Sequence, residues 1–211
     1  METFNWEKFQ IYTARFFTIL FHPLFMPAYG LIIIFTAPTL FYFLPPPVKK
    51  ILLLVVVINN IMVPVALIPF FRYRNIISSW KMDNRSDRVI PLLSVSILYF
   101  ITSFIVARFG IPLLIKAYIH SVSILSLAIL IINFRYKISI HSAGAGALTG
   151  LVISLGIVMG ENLILYLIPV LLVSGLIMTS RLKLNVHNPG QVYSGFLAGF
   201  AVITSIILLF Q

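Results

Sequence analysis

Seven apolar stretches, each close to the length of a membrane crossing, dominate this sequence. They run approximately over 16–37, 51–71, 90–107, 112–134, 142–160, 163–180 and 191–210. A hydrocarbon core about 30 Å thick takes about 20 apolar helical residues. The pattern therefore predicts an all-α polytopic bundle of six or seven transmembrane helices, forming one integral membrane domain over 1–211. The count is open by one because His22-Pro23 and Pro27 interrupt the first stretch, which is expected to be kinked, tilted or re-entrant. Composition agrees with the spans. Charged residues make up only 9%, against about 25% in an ordinary soluble domain, and mean hydropathy is +1.07. A soluble enzyme, a disordered chain and a coiled coil are excluded.

The charge that remains is one-sided, with 15 Lys and Arg against 5 Asp and Glu. In a soluble protein this balance would suggest nucleic acid. Here the cations sit in short loops between apolar runs, so the expected partners are anionic lipid headgroups and a phosphorylated lipid, with no role for nucleic acid. There is no cysteine, hence no thiol nucleophile and no thiolate metal site. The five carboxylates and four histidines show no metal-ligand spacing, so neither a metal nor a cofactor is expected. The first ten residues carry Glu2 and Glu7 beside Lys8 and do not read as a cleaved signal.

The three most polar loops are 72–90, 135–141 and 181–191. Two spans separate each from the next, so all three share one face of the membrane. Each feeds a helix N-terminus. Pro91 suits the first turn of the third span, Ser142 could cap the fifth, and Asn188-Pro189-Gly190-Gln191 reads as a capping box opening the seventh. Helix N-termini carry free N–H groups and partial positive charge, and so favour anions. Together with Lys81, Arg85, Arg88, Arg135, Lys137 and Arg181 they suggest an anion site at a membrane surface.

Read together, the loops give Lys81-x6-Arg88, then Ser139-Ile140-His141, then Ser180-Arg181-x5-His187-x3-Gln191. This order and spacing resembles the three signature motifs of the type 2 phosphatidic acid phosphatase family, over about half of the chain. The resemblance implies that Lys81, Arg88, Ser139 and Arg181 bind phosphate oxygens. It implies that His187 is the nucleophile, forming a phosphohistidine, and that His141 protonates the leaving alcohol. Such chemistry needs positioning and charge stabilisation around phosphorus, and imidazoles can serve near neutral pH as nucleophile and acid. The chain departs from the family pattern at four places. Ile138 and Ile140 stand for proline and glycine of the second motif, and Val89-Ile90 separate Arg88 from Pro91. Gln191 stands for the aspartate behind the nucleophile. A glutamine can hold the imidazole tautomer without stabilising the imidazolium by charge; the comparable loss in a serine-protease triad is about 10⁴-fold in rate.

The implied function is a membrane-embedded, metal-independent phosphatase hydrolysing a lipid phosphate or diphosphate. The competing readings are a catalytically impaired homologue that binds lipid phosphate without turnover, and a small membrane transporter. The resemblance places the chain in a bacterial inner membrane with the motif face away from the cytoplasm. Charge counting opposes this: only Lys49, Lys50, Arg108 and Lys116 lie on the other face, which by the positive-inside rule would put the motif face in the cytoplasm. Outside the motifs, His22, His120 and Asn59-Asn60 lie in apolar stretches and are expected to make interhelical hydrogen bonds. Asp83 and Asp87 are expected to pair with Arg85 or Arg88, and Gly146-x3-Gly150 and Gly195-x3-Gly199 read as helix contacts.

Overall fold

The computed structural model describes residues 6–80, 82 and 84–210. Seven helical segments are long and apolar enough to cross a membrane, and among the described residues there is no strand. The protein is a polytopic membrane helix bundle.

The first segment is divided, as its prolines require. Helix α1 (Trp6–Leu20) ends, a 3-10 turn covers Pro23–Phe25, and α2 (Met26–Thr36) resumes. His22 is extended, at φ −65° and ψ 141°, the backbone that a following proline imposes. The second segment is continuous but carries a π-turn at Ile58–Met62 between α3 (Pro46–Val57) and α4 (Val63–Tyr73). Its cause is Pro64. A proline cannot bond the carbonyl four residues back and crowds it, and the ladder widens so that Val63 N–H reaches Ile58 O instead. The remaining crossings are α5 (Val89–Ala107), α6 (Leu113–Asn133), α7 (Ile140–Met159), α8 (Ile164–Lys183) and α9 (Pro189–Leu209).

Three boundaries differ from the apolar pattern. The first segment extends N-terminal of residue 16 to include at least residues 6–15, because Glu7, Lys8 and Arg15 are helical although polar. Pro46 and Pro47 open α3 and carry Lys49 and Lys50 into it, since proline in the first turn forfeits no hydrogen bond. Ser139, not Ser142, caps α7: its Oγ accepts from Ser142 N at 3.4 Å.

Helix α7 is the hub. Its most apolar window is 72% buried within the protein, against 22–39% for every segment except α6. Glycines make this enclosure possible. A Cβ at Gly146 would lie 2.0 Å from Phe196 O, and one at Gly199 would lie 1.9 Å from Ala143 O. The backbones of α7 and α9 thus touch along the two small-residue stripes, the close approach that drives packing where water supplies no hydrophobic force. The broken first segment is pinned beside them. Tyr118 of α6 shares its hydroxyl between Met26 O and Pro27 O, each at 3.3 Å, in space that a side chain at Gly30 would fill. Met26 in turn sits against Gly144. Two intramembrane polar pairs tie further helices together: Thr102 Oγ1 to Asn60 Oδ1 at 2.6 Å, and Ser103 Oγ with His120 Nδ1 at 3.2 Å.

Gly199→Ala should force α7 and α9 apart and destabilise the fold by about 1–3 kcal/mol, read as a lowered melting temperature in detergent. Gly175→Ala is the matched control. Nothing lies within 4 Å of a Cβ there, so the melting temperature should hold or rise.

Candidate functional site

With seven crossings, the loops after α4, α6 and α8 open on one face. They and the broken first segment surround a cavity of about 240 Å³. Arg88, His141, Arg181 and His187 line it at its polar end, and Leu92, Val95, Val122, Leu125 and Ile129 line its apolar depth. Four of the residues singled out from the motifs therefore meet in one space.

His187 precedes α9, and its surroundings set its protonation. Asn188 and Gln191 form a reciprocal capping box: Gln191 N–H donates to Asn188 Oδ1 at 2.9 Å, and Asn188 N–H donates to Gln191 Oε1 at 3.4 Å. The same Oε1 lies 2.9 Å from His187 Nδ1. A backbone N–H can only donate, so it holds Oε1 as an acceptor. His187 Nδ1 must then carry the proton, and Nε2 keeps its lone pair. Burial lowers the His187 pKa to about 4. The Gln191 bond opposes this, and the positive charges of Arg181, Arg88 and Lys137 reinforce it.

His141 lies in the first turn of α7, with Nε2 3.2 Å from Thr18 O. A carbonyl only accepts, so Nε2 carries the proton and Nδ1 is the nitrogen open to a ligand. Arg88 is buried at the end of a 3-10 turn (Ser86–Arg88), and its Nε donates to Met82 O at 2.8 Å. Met82 adopts a positive φ of 48° and also lines the cavity. Arg181 is in the last turn of α8.

The other expectations fall differently. Ser139 is fully buried and its Oγ accepts from Ser142 Oγ at 2.9 Å as well as from Ser142 N. It is committed to the α7 cap, and it is not among the residues lining the cavity. Its backbone N–H donates to Gln191 O at 3.1 Å, tying the start of α7 to the first turn of α9. Gln191 stands behind His187 and off the cavity wall. Asp87 receives Ser78 N–H at 3.2 Å and the Ser78 hydroxyl, and so folds the 74–88 loop onto itself. Lys81 and Asp83 lie outside the described residues. Among the described residues, no group of three or more His, Cys, Asp or Glu side chains could hold a metal ion.

One cavity histidine was missed by the motifs. His22 lines the same cavity, and its ring meets that of His141 edge to face at a centroid distance of 5.3 Å. The only sequence signal was an ionisable side chain beside a proline inside an apolar stretch, which marks a broken helix and not a ligand. No family model, curated protein or solved structure matches this chain.

The protonation assignment is testable by NMR of ¹⁵N-imidazole in detergent. His187 should stay neutral, with the proton on Nδ1, until pH falls toward 4. Because the folded pKa lies below the ordinary 6.5, the associated stability is present above 6.5 and is lost as pH falls from 6.5 toward 4. Gln191→Leu should lower the midpoint further. A midpoint near 6.5 would contradict the assignment.

Proposed function

We propose that this protein is a membrane-embedded, metal-independent phosphatase that hydrolyses a lipid phosphate or diphosphate through a phosphohistidine. The observation that carries this reading is the convergence of Arg88, His141, Arg181 and His187 on one cavity. They come from three loops far apart in the chain and match the motif positions of the phosphatase family. The apolar lining beyond them suits a chain that remains in the bilayer while its phosphate reaches the cations.

In this reaction Arg88 and Arg181 hold the phosphoryl oxygens, with Lys81 as the third expected cation. The N-termini of α7 and α9 add partial positive charge on the same face. His187 Nε2 attacks phosphorus while Gln191 retains the proton on Nδ1. The P–O bond to the lipid breaks, and His141, having taken up at Nδ1 the proton that a monoanionic phosphate brings into the cavity, delivers it to the leaving oxygen. His141 Nδ1 then takes a proton from water as that water attacks the P–N bond. Inorganic phosphate leaves and His187 is restored. Ser139 acts here as the cap that seats His141.

Purified protein should release inorganic phosphate from detergent-dispersed phosphatidic acid, phosphatidylglycerophosphate or an isoprenyl diphosphate. His187→Ala should reduce release to the no-protein control, and Arg181→Ala should lower it by about 10²-fold or more. Gln191→Asp should raise it by about tenfold or more. Wild-type release equal to the control on all three substrates, with phosphate still bound, would favour the binding-only homologue, which the neutral Gln191 supports.

The site faces away from the cytoplasm of a bacterial inner membrane in this proposal, against the excess of Lys and Arg on its face. Cations retained to bind phosphate are poor topology reporters. Lys183→Cys would be the only cysteine in the chain. In intact cells with a permeabilised outer membrane, a membrane-impermeant maleimide should label it. Labelling only after lysis would reverse the assignment.

A further inference from the structure

The division of the first segment delivers a side chain to the cavity at its polar end. His22 occupies the junction between α1 and the 3-10 turn, and its Nδ1 receives Leu24 N–H at 3.4 Å. A backbone N–H can only donate, so Nδ1 is the acceptor and the neutral ring carries its proton on Nε2. The position is held from three sides. Tyr118 hydrogen-bonds the carbonyls of Met26 and Pro27, Met26 packs on Gly144, and Thr18 O receives His141 Nε2–H. The last contact means that one short stretch of chain both orients His141 and supplies the ring beside it. The His22 ring lines the cavity that Arg88, Arg181 and His187 also line.

We propose that His22 is a substrate-contacting residue, whose Nε2–H donates a hydrogen bond to an oxygen of the bound phosphate. This rests on reading the cavity as a phosphate site. The three cavity imidazoles then divide the work by tautomer. His187 presents a lone pair at Nε2, His141 presents Nδ1, and His22 presents an N–H. The broken first helix is the device that sets an N–H donor against the His141 ring, a placement that an unbroken helix without a capping turn would not produce.

Two substitutions separate this role from simple capping. Asparagine places an oxygen where Nδ1 stands, keeps the cap, and has no atom at the Nε2 position. Glutamine reaches the Nε2 position with an N–H and gives up the short-range cap. The full chain in detergent is titrated with inorganic phosphate and with orthovanadate by calorimetry. His22→Asn should keep the wild-type melting temperature and bind both anions about 10- to 100-fold more weakly, as expected for loss of a hydrogen bond to a charged group. His22→Gln should melt earlier yet bind more tightly than His22→Asn. In the wild type, the His22 Nε2 resonance should move when phosphate is added, a readout that needs no variant to fold. His22→Asn binding with wild-type affinity, or an Nε2 resonance unmoved at saturating phosphate, would overturn the assignment while leaving the phosphate site standing. A wild-type protein that binds neither anion and releases no phosphate from lipid would overturn the phosphatase reading and this assignment together.

Discussion

Backbone contact between α7 and α9 is the constraint from which the rest of the site follows. Gly146 and Gly199 let the two helices approach until each backbone occupies the other's missing Cβ positions. Gly195 continues the contact to Ser139 O, 2.5 Å from its ideal Cβ position, at the very start of α7. The stripe therefore runs up to the helix ends that hold two of the cavity histidines. His141 is the second residue of α7, and His187 lies two residues before α9 begins. Helices kept apart by ordinary side chains would also separate these two histidines. In a membrane, where lipid is as apolar as leucine, close packing is the main force available to fix such a distance.

The caps and neighbouring backbone at those helix ends then fix where the ring protons sit. Each of the three cavity histidines meets a backbone group, or a side chain fixed by one, that admits a single tautomer. Thr18 O holds the proton on His141 Nε2, and Leu24 N–H excludes it from His22 Nδ1. Asn188 N–H acts on His187 through Gln191. Groups that would otherwise be unsatisfied helix-end donors and acceptors thus serve to fix proton positions. Gln191 does double duty, since the oxygen that closes the capping box is the one that receives the His187 proton.

The fold, and the meeting of Arg88, His141, Arg181 and His187 in one cavity, could be read from sequence for one physical reason: membrane spans and helix caps are local. Apolar length predicted the crossings, and the number of crossings put three loops on one face. Asn188-Pro189-Gly190-Gln191 announced its cap by spacing alone, and the structure forms that box. Tertiary relations stayed hidden. Ser139 caps α7 in place of Ser142 because its oxygen faces the helix start, a matter of backbone angles that composition does not report. The π-turn at Ile58–Met62 required knowing that Pro64 sits within a continuous helix. His22 could not be assigned because its partner His141 is more than a hundred residues away. The expectation of an interhelical hydrogen bond holds for His120 and Asn60, whereas His22 makes a local cap and faces the cavity.

The electrostatics of the cavity give a neutral Gln191 a rationale of its own. The same cations that would hold a phosphate, Arg181 and Arg88, also keep His187 unprotonated, with burial contributing most. In the proposed reaction, binding and preparation of the nucleophile would therefore be one arrangement: a neutral Nε2 lone pair in a cationic space. A carboxylate at position 191 would stabilise the imidazolium and raise the resting pKa. That would favour the transition state in which positive charge develops on the ring, but it would also protonate a fraction of the nucleophile as pH falls. It would also place a negative charge behind the cavity that Arg88 and Arg181 line. A neutral acceptor fixes the tautomer without either effect. In the proposed reaction, charge stabilisation then falls to the guanidinium groups and to the ends of α7 and α9, and the histidine relies on geometry. An enzyme arranged this way would trade rate for a nucleophile that remains available well below neutral pH.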